Sequence, residues 1–121
     1  MAVKTKVAPP NSVVLVSDTA SGEIPKSMHD SLISATNSCV AVGCLSEDDG
    51  ETEFTLGTLS ELDRKDKPAF EGMLKTPSHR VAVRSVLGKR LLELPVSQEL
   101  TRLRIWVNDA SEPDNVVVAV G

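Results

Sequence analysis

Residue types that bind metals in other proteins are present in this chain, but their spacing fits no metal site. His29 and His79 lie far apart, and neither has a second ligand at the i+2 to i+4 positions. Cys39 and Cys44 do not have the C-x-x-C spacing of a zinc or redox motif. The acidic stretch 48–53 lacks the alternating oxygen ligands and the terminal glutamate of a calcium-binding loop. We therefore expect no metal site and no bound cofactor.

Motifs for nucleophilic catalysis and for phosphate binding are also missing from the sequence. No serine lies in a G-x-S-x-G elbow. Gly88-Lys89-Arg90 lacks the upstream glycine and the downstream Ser or Thr of a phosphate-binding loop. A glycosidase needs two carboxylates in an aromatic-lined cleft, whereas this chain has one Trp, two Phe and no Tyr. The sequence therefore predicts a protein that is not an enzyme.

Length and composition predict one globular domain. In a chain of 121 residues, two independent cores would each be too small to be stable. The content of 40% hydrophobic and 25% charged residues is typical of a folded protein. Residues 1–11 end in Pro9-Pro10-Asn11, which cannot continue a helix, and we expect them to form a flexible N-terminal segment. Residues 12–121 then form a single β-rich domain.

The cysteines and the N-terminal residues predict a cytoplasmic protein. On a shared strand, Cys39 and Cys44 would lie about 16 Å apart on opposite faces, which is beyond disulfide reach. We expect both to be buried thiols in a reducing compartment. The first residues lack the apolar core of a signal peptide, and no apolar run is long enough to cross a bilayer.

Short apolar runs between turn-forming residues predict the strands of the domain. They cover residues 13–16, 39–45, 52–59, 70–74, 80–84, 101–108 and 116–120. Residues 25–38 are the best helix candidate, because Pro25 suits a first helical position and Met28 and Leu32 share one stripe with Ala35. We expect an antiparallel β-sandwich of about six to seven short strands with at most one short helix. The alternative is an α+β fold with helix 25–38 packed on an antiparallel sheet.

The clearest local prediction is a β-hairpin that turns at Gly88-Lys89. The pairs that follow from this two-residue turn are Val81 with Val96, Val83 with Leu94, and Arg84 with Glu93. Two apolar pairs and one pair of opposite charge thus result from one alignment, as expected for neighbouring antiparallel strands.

Charges are unevenly distributed along the chain, whose net charge is −4. Acidic residues dominate between positions 45 and 66: they are Glu47, Asp48, Asp49, Glu51, Glu53, Glu61, Asp63 and Asp66. Basic residues dominate between positions 79 and 104: they are Arg80, Arg84, Lys89, Arg90, Arg102 and Arg104. We predict a polarised molecule with an acidic end and a basic face.

Arg102, Arg104 and Trp106 share one face of a predicted strand, because side chains alternate along a strand. In one interpretation Trp106 is a core residue that the arginines cover through cation–π contacts. In the other it is an exposed indole at the centre of a protein interface. The candidate partner-binding residues are Trp106, Arg102, Arg104, Arg84, Asp48 and Asp49.

Three stretches of the C-terminal half carry a family resemblance. They are residues 85–91 (Ser-Val-Leu-Gly-Lys-Arg-Leu), Leu94-Pro95 and residues 103–106 (Leu-Arg-Ile-Trp). Over residues 84–107, this hydrophobic pattern with its Lys-Arg turn and single Trp resembles the bacterial competence nuclease inhibitor family. The resemblance implies a β-sandwich that binds a partner protein, which in that family is a DNA-entry nuclease. It implies no functional residues for this chain.

Two classes of function are consistent with these observations. The first is a protein-binding module, for example an inhibitor, that uses the acidic segments 46–53 and 61–66 or the Arg/Trp face. An acidic surface suits a nuclease inhibitor, because the nuclease site is built to attract phosphate. The alternative is nucleic-acid binding, with Trp106 as the stacking platform. Its phosphate contacts would come from Arg80, Arg84, Arg102 and Arg104.

Overall fold

The computed structural model describes residues 2–28, 31–62 and 64–121, which form two β-sheets of five strands each. The strands are β1 (Val3–Val7), β2 (Val13–Asp18), β3 (Ile33–Ala35), β4 (Cys39–Gly43), β5 (Thr52–Thr58), β6 (Phe70–Lys75), β7 (Arg80–Ser85), β8 (Arg90–Pro95), β9 (Leu100–Val107) and β10 (Asn115–Val120). A short 3₁₀ turn, Pro10–Ser12, precedes β2. The predicted mainly β fold is therefore confirmed, with more strands than the sequence indicated.

The two sheets differ in one pairing. Sheet A has the order β1-β5-β10-β9-β6, and sheet B has the order β3-β4-β2-β7-β8. All pairs are antiparallel except β5 and β10, which run parallel in the middle of sheet A. Because β5 and β10 run in the same direction, the chain segments that precede them lie at the same end of the molecule.

Alternate residues of the strands fill the space between the sheets. The largest fully buried side chains in this core include Phe54, Leu56, Leu74, Leu103, Ile105, Val14, Val16, Val81 and Val83. β-Branched and aliphatic side chains pack well on a pleated surface, so this Val-rich sequence favours a sandwich. The predicted alternation in β9 is confirmed, since Leu103 and Ile105 belong to the core.

The predicted helix 25–38 is wrong, and with it the α+β alternative. Residues 33–35 form β3, and no α-helix lies in the described ranges 2–28, 31–62 and 64–121. Met28 packs instead against Leu15, Cys39 and Ala41 on the outer face of sheet B. The apolar stripe therefore reflects a segment that covers a sheet, and the Ser and Thr side chains bond to nearby backbone, as they prefer to do outside helices. The described residues contain no helix that is long and apolar enough to span a membrane.

Part of the segment 1–11, which the sequence predicts to be flexible, forms a strand. Residues 3–7 form β1, the edge strand of sheet A, which pairs with β5. Val3 and Val7 pack against the core, whereas Lys4 and Lys6 are exposed. Positive charges on an edge strand oppose pairing with another chain.

The β7–β8 hairpin is confirmed, but its predicted register is wrong by two residues. The observed pairs are Val81 with Leu94, Ala82 with Glu93, Val83 with Leu92, and Arg84 with Arg90. Ser85 N donates to Lys89 O at 2.8 Å, so the loop has three residues, 86–88, instead of two. A bulge after Val83 shifts the remaining pairs, and the core-facing side chains still meet because a two-residue shift preserves the face.

Candidate functional site

The acidic end of the molecule is formed by two segments that are distant in sequence. The first, residues 44–53, comprises the β4–β5 connection and the first two residues of β5, and the second, residues 108–115, comprises the β9–β10 connection and the first residue of β10. The parallel pairing of β5 with β10 aligns their first residues, so both connections lie at the same end. Two backbone hydrogen bonds join them: Leu45 N donates to Pro113 O, and Glu53 N donates to Asp114 O, each at 2.8 Å.

Together these segments carry acidic side chains and no basic ones. The carboxylates are Glu47, Asp48, Asp49, Glu51, Glu53, Asp109, Glu112 and Asp114. All are exposed except Glu53, which is half-buried. Lys89, which directly follows the β7–β8 loop, lies at the same end of the molecule. Ser85 of β7 pairs with Val14 of β2, and the neighbouring Val13 pairs with Gly43, the last residue of β4 before the acidic segment. The acidic end is thus bounded on one side by positive charge.

Local hydrogen bonds fix the backbone of both acidic loops. Ser46 accepts from Asp48 N through its hydroxyl and from Asp49 N through its carbonyl, at 3.3 and 2.9 Å. One oxygen of Asp109 accepts from Glu112 N at 2.7 Å and from Ser111 N at 3.1 Å. These backbone bonds, first that from Glu112, lower the pKa of the Asp109 carboxyl. The Asp109 carboxylate is therefore held in place and stays charged at neutral pH.

Trp106 is a buried residue of the outer face of sheet A, with 3% of its surface exposed. Its ring packs with Val117 and Ala119 beneath Leu59 and Leu62. The indole Nε1 donates to Asp66 O at 2.8 Å, and the guanidinium of Arg64 lies 5.9 Å from the ring centroid. We call residues 59–66 the covering segment; Asp63 lies outside the described residues. This geometry agrees with the core interpretation, although the cation over the ring is Arg64 and not a β9 arginine.

The arginines that the sequence grouped on one basic face lie on two. Arg102 and Arg104 project from the outer face of sheet A, where Arg104 Nε donates to Glu71 at 2.6 Å. Arg80 and Arg84 alternate with core residues of β7 and so project from the outer face of sheet B. Nucleic-acid binding by a continuous face of these four arginines therefore lacks the surface that it requires.

Glu93 neutralises part of the charge on sheet B. It accepts hydrogen bonds from Arg90 Nη1 at 2.6 Å and from Arg80 Nε at 2.8 Å. The bond from Arg90, followed by that from Arg80, lowers the pKa of the Glu93 carboxyl. Arg84 lies opposite Arg90, and its Nε is buried without a hydrogen-bond acceptor.

The two thiols occupy opposite faces of sheet B, as predicted. Cys44 lies in the core between the sheets, and Cys39 packs with Leu15 and Ala41 on the outer face. Both are free and buried, and burial raises the pKa of each thiol. Among residues 2–28, 31–62 and 64–121, no three His, Cys, Asp or Glu side chains are grouped so that they could hold a metal ion.

Sequence reasoning found only half of the acidic end. It singled out Asp48 and Asp49 in the β4–β5 connection, but it missed the contribution of Asp109, Glu112 and Asp114. Three acids without a base between β9 and β10 were a visible signal. Their position beside residues 44–53 depends on the β5–β10 pairing, which no local pattern specifies. The predicted acidic segment 61–66 lies elsewhere, in the covering segment of sheet A.

Comparisons with known proteins give matches at the level of structure. No protein-family model and no curated protein matches the sequence. One similar solved structure is ComJ of Bacillus subtilis, described as an inhibitor of the DNA-degrading activity of NucA, with a TM-score of 0.66 and 8% identity. The match covers 98% of this chain and 93% of ComJ. Another, crocagin biosynthetic gene J, has a TM-score of 0.53 and 11% identity over 98% of this chain and 94% of its own. The chain therefore shares the fold of a nuclease inhibitor over nearly its whole length.

Proposed function

We propose that the protein is a non-enzymatic, cytoplasmic domain that inhibits a partner protein such as a nuclease. The observation that carries this proposal is the acidic end, where two loops with hydrogen-bonded backbones present a group of carboxylates. The fold shared with ComJ supports it.

The chemistry of the partner follows from the charge. A nuclease concentrates positive charge where it binds the phosphates of its substrate. Carboxylates held on short loops complement such a surface and accelerate association. Occupation of the site by the acidic end would exclude the nucleic acid, so inhibition requires neither catalysis nor a cofactor. The two free, buried cysteines are consistent with a reducing compartment.

The test begins by capturing partners from the source cell and purifying them. The wild-type domain is compared with Asp48→Asn/Asp49→Asn, which removes two exposed charges and no side-chain hydrogen bond from the acidic end. We expect the wild type to inhibit nucleic-acid cleavage by the purified partner stoichiometrically. The association rate of the double variant should be about tenfold lower, and added salt should reduce the difference.

A matched control is available outside both acidic loops. Glu71→Gln/Glu99→Gln removes the same number of exposed charges, and the amide oxygen at position 71 can still accept from Arg104. It should bind and inhibit as the wild type does. The proposal is contradicted if the two double variants lose affinity equally, or if the captured partner cleaves nucleic acid at an unchanged rate when saturated with the domain.

A further inference from the structure

A groove at the end remote from the acidic loops combines exposed apolar side chains with a cation. Its volume is about 340 Å³, and its lining includes Met73, Val96, Leu100, Arg102 and Gly121. Met73 and Leu100 are 48% and 49% exposed, and both belong to the few large hydrophobic residues that the described part of the chain leaves open to solvent. Exposed apolar surface next to a charged group is typical of a binding site.

Arg102 is the polar centre of this groove. Along the β6–β9 pair, Arg104 faces Glu71 and bonds to it, whereas Arg102 faces Met73. Within residues 2–28, 31–62 and 64–121, no carboxylate forms an ion pair with Arg102. The groove thus offers a free guanidinium beside apolar side chains, which suits a ligand with a carboxylate next to an aliphatic side chain.

The same end of the molecule carries a segment with that chemistry, Glu23-Ile24. Ile24 is 53% exposed, and Glu23 is exposed and has no ion pair in the described part of the structure. The backbone of Glu23 is held on both sides, since its N–H donates to Ser38 Oγ at 2.9 Å and its carbonyl accepts from Thr36 Oγ1 at 2.6 Å. Both side chains are therefore presented from a fixed backbone, which lowers the entropic cost of binding.

One turn connects the two features. The β3–β4 turn that holds Glu23 also bonds to β6, where Lys75 N donates to Asn37 O at 2.9 Å. Lys75 in turn lies opposite Leu100 of the groove. One end of the molecule thus carries both the Glu23-Ile24 segment and the groove that suits it. Such a surface is self-complementary, as a two-fold symmetric interface requires.

We infer that two copies of the chain associate end to end, with Glu23-Ile24 of each copy in the groove of the other. Glu23 binds Arg102, and Ile24 packs between Met73 and Leu100. The two acidic ends then point away from each other, and both are open to partners. This inference does not depend on the proposed function, because it uses the opposite end of the molecule.

The test is a charge exchange followed by sedimentation equilibrium over a range of protein concentrations. We expect the wild type to form dimers, and Arg102→Glu or Glu23→Arg to weaken dimerisation by about tenfold or more. Combining both substitutions should restore the affinity, because the pair is rebuilt with reversed charges. Lys89→Glu makes the same change of charge at the acidic end and should leave dimerisation unaltered.

Several results would overturn the inference. The wild type could remain monomeric at millimolar concentration, or dimerise equally well with either single reversal. Failure of the double variant to recover would also contradict it, because the groove would then bind something other than Glu23. If the wild type is monomeric and Arg102→Glu abolishes its binding to a different protein, the groove belongs to that protein and not to a second copy of this chain. All substituted residues are exposed, and circular dichroism of each variant checks that the fold is kept.

Discussion

Asp18 is the last residue of β2 and is fully buried. Its carboxylate accepts hydrogen bonds from residues of two neighbouring turns. Oδ1 accepts from Ser78 N at 2.8 Å, while Oδ2 accepts from Ala20 N at 3.0 Å and from Ser21 Oγ at 3.3 Å. Burial raises the pKa of this carboxyl, but the backbone hydrogen bonds from Ala20 and Ser78, together with the side-chain bonds, outweigh it. The resulting pKa lies below 3.8.

Asp18→Asn should destabilise the protein by about 1–3 kcal/mol at neutral pH. An amide places an NH₂ group where one of the two oxygens now accepts, so at least one buried donor loses its partner. Urea unfolding monitored by circular dichroism measures the change. An equal stability of the two proteins would mean that these hydrogen bonds do not form in solution.

The same residue predicts a pH dependence. A carboxyl with a lowered folded-state pKa contributes stability above its unfolded value, here 3.8, and loses that contribution as the pH falls through the folded value. The difference in unfolding free energy between the wild type and Asp18→Asn should therefore be constant near neutrality and shrink below about pH 3.8. A difference that grows on acidification would contradict the assignment.

Trp106 provides an optical probe, because it is the only tryptophan of the chain. Its buried indole, bonded to Asp66 O, should emit at short wavelength and resist quenching by iodide. Trp106→Ala should cost about 3–5 kcal/mol, since it leaves a cavity beneath Leu59 and Leu62. Emission at long wavelength with efficient quenching would show that the covering segment is open in solution.

At the scale of the elements, the β7–β8 loop depends on one glycine. Gly88 has a φ of +89°, and its N–H donates to Ser85 O at 3.0 Å, as in three-residue hairpin loops that end in a left-handed residue. A Cβ atom there would meet nothing within 4 Å, so any cost of Gly88→Ala is conformational. We expect a loss of about 1–2 kcal/mol in thermal or urea unfolding.

Leu87→Ala is the matched control for this loop, because Leu87 is largely exposed and contributes little to the core. It should change the unfolding free energy by less than about 0.5 kcal/mol. If both variants behave alike, the left-handed residue is not what determines the loop.

Most strands could be predicted from local pattern, and the exceptions have physical reasons. β3 has three residues, too few for a period-two signal. β1 does alternate, with Val3 and Val7 inward and Lys4 and Lys6 outward, but the prolines that follow it favoured an unstructured segment. The hairpin register failed because a bulge and a three-residue loop are not specified by the pairing pattern alone.

The helix prediction failed at the level of tertiary structure. Met28 is apolar because it covers Leu15 and Cys39 on the outer face of sheet B. An amphipathic helix would show the same apolar spacing, so the sequence pattern could not distinguish the two structures. The candidate site also depends on tertiary structure that local sequence does not specify. The charges of Asp48 and Asp49 could be found in the sequence, whereas their proximity to Asp109 requires the β5–β10 pairing.

At the scale of the whole molecule, β10 is the central strand of sheet A. It separates β5 on one side from β9 on the other, and its residues 116–120 are nearly all buried. A chain that ends at residue 114 should therefore lose cooperative thermal unfolding. Removal of residues 2–8 deletes only the edge strand β1 and should leave a folded protein of reduced stability. Similar melting behaviour of the two truncated chains would contradict the central role of β10.

The position of β10 also affects the order in which the protein can fold during synthesis. Asn115 lies 62 residues after Glu53, to which its side chain bonds, so β5 has no β10 partner until β10 itself has left the ribosome. Pairings of such high sequence separation form slowly. Until then, β5 and β9 expose unpaired edges, which can associate with other nascent chains. The yield of folded protein in the cell should therefore depend on chaperones and on translation speed more strongly than its final stability suggests.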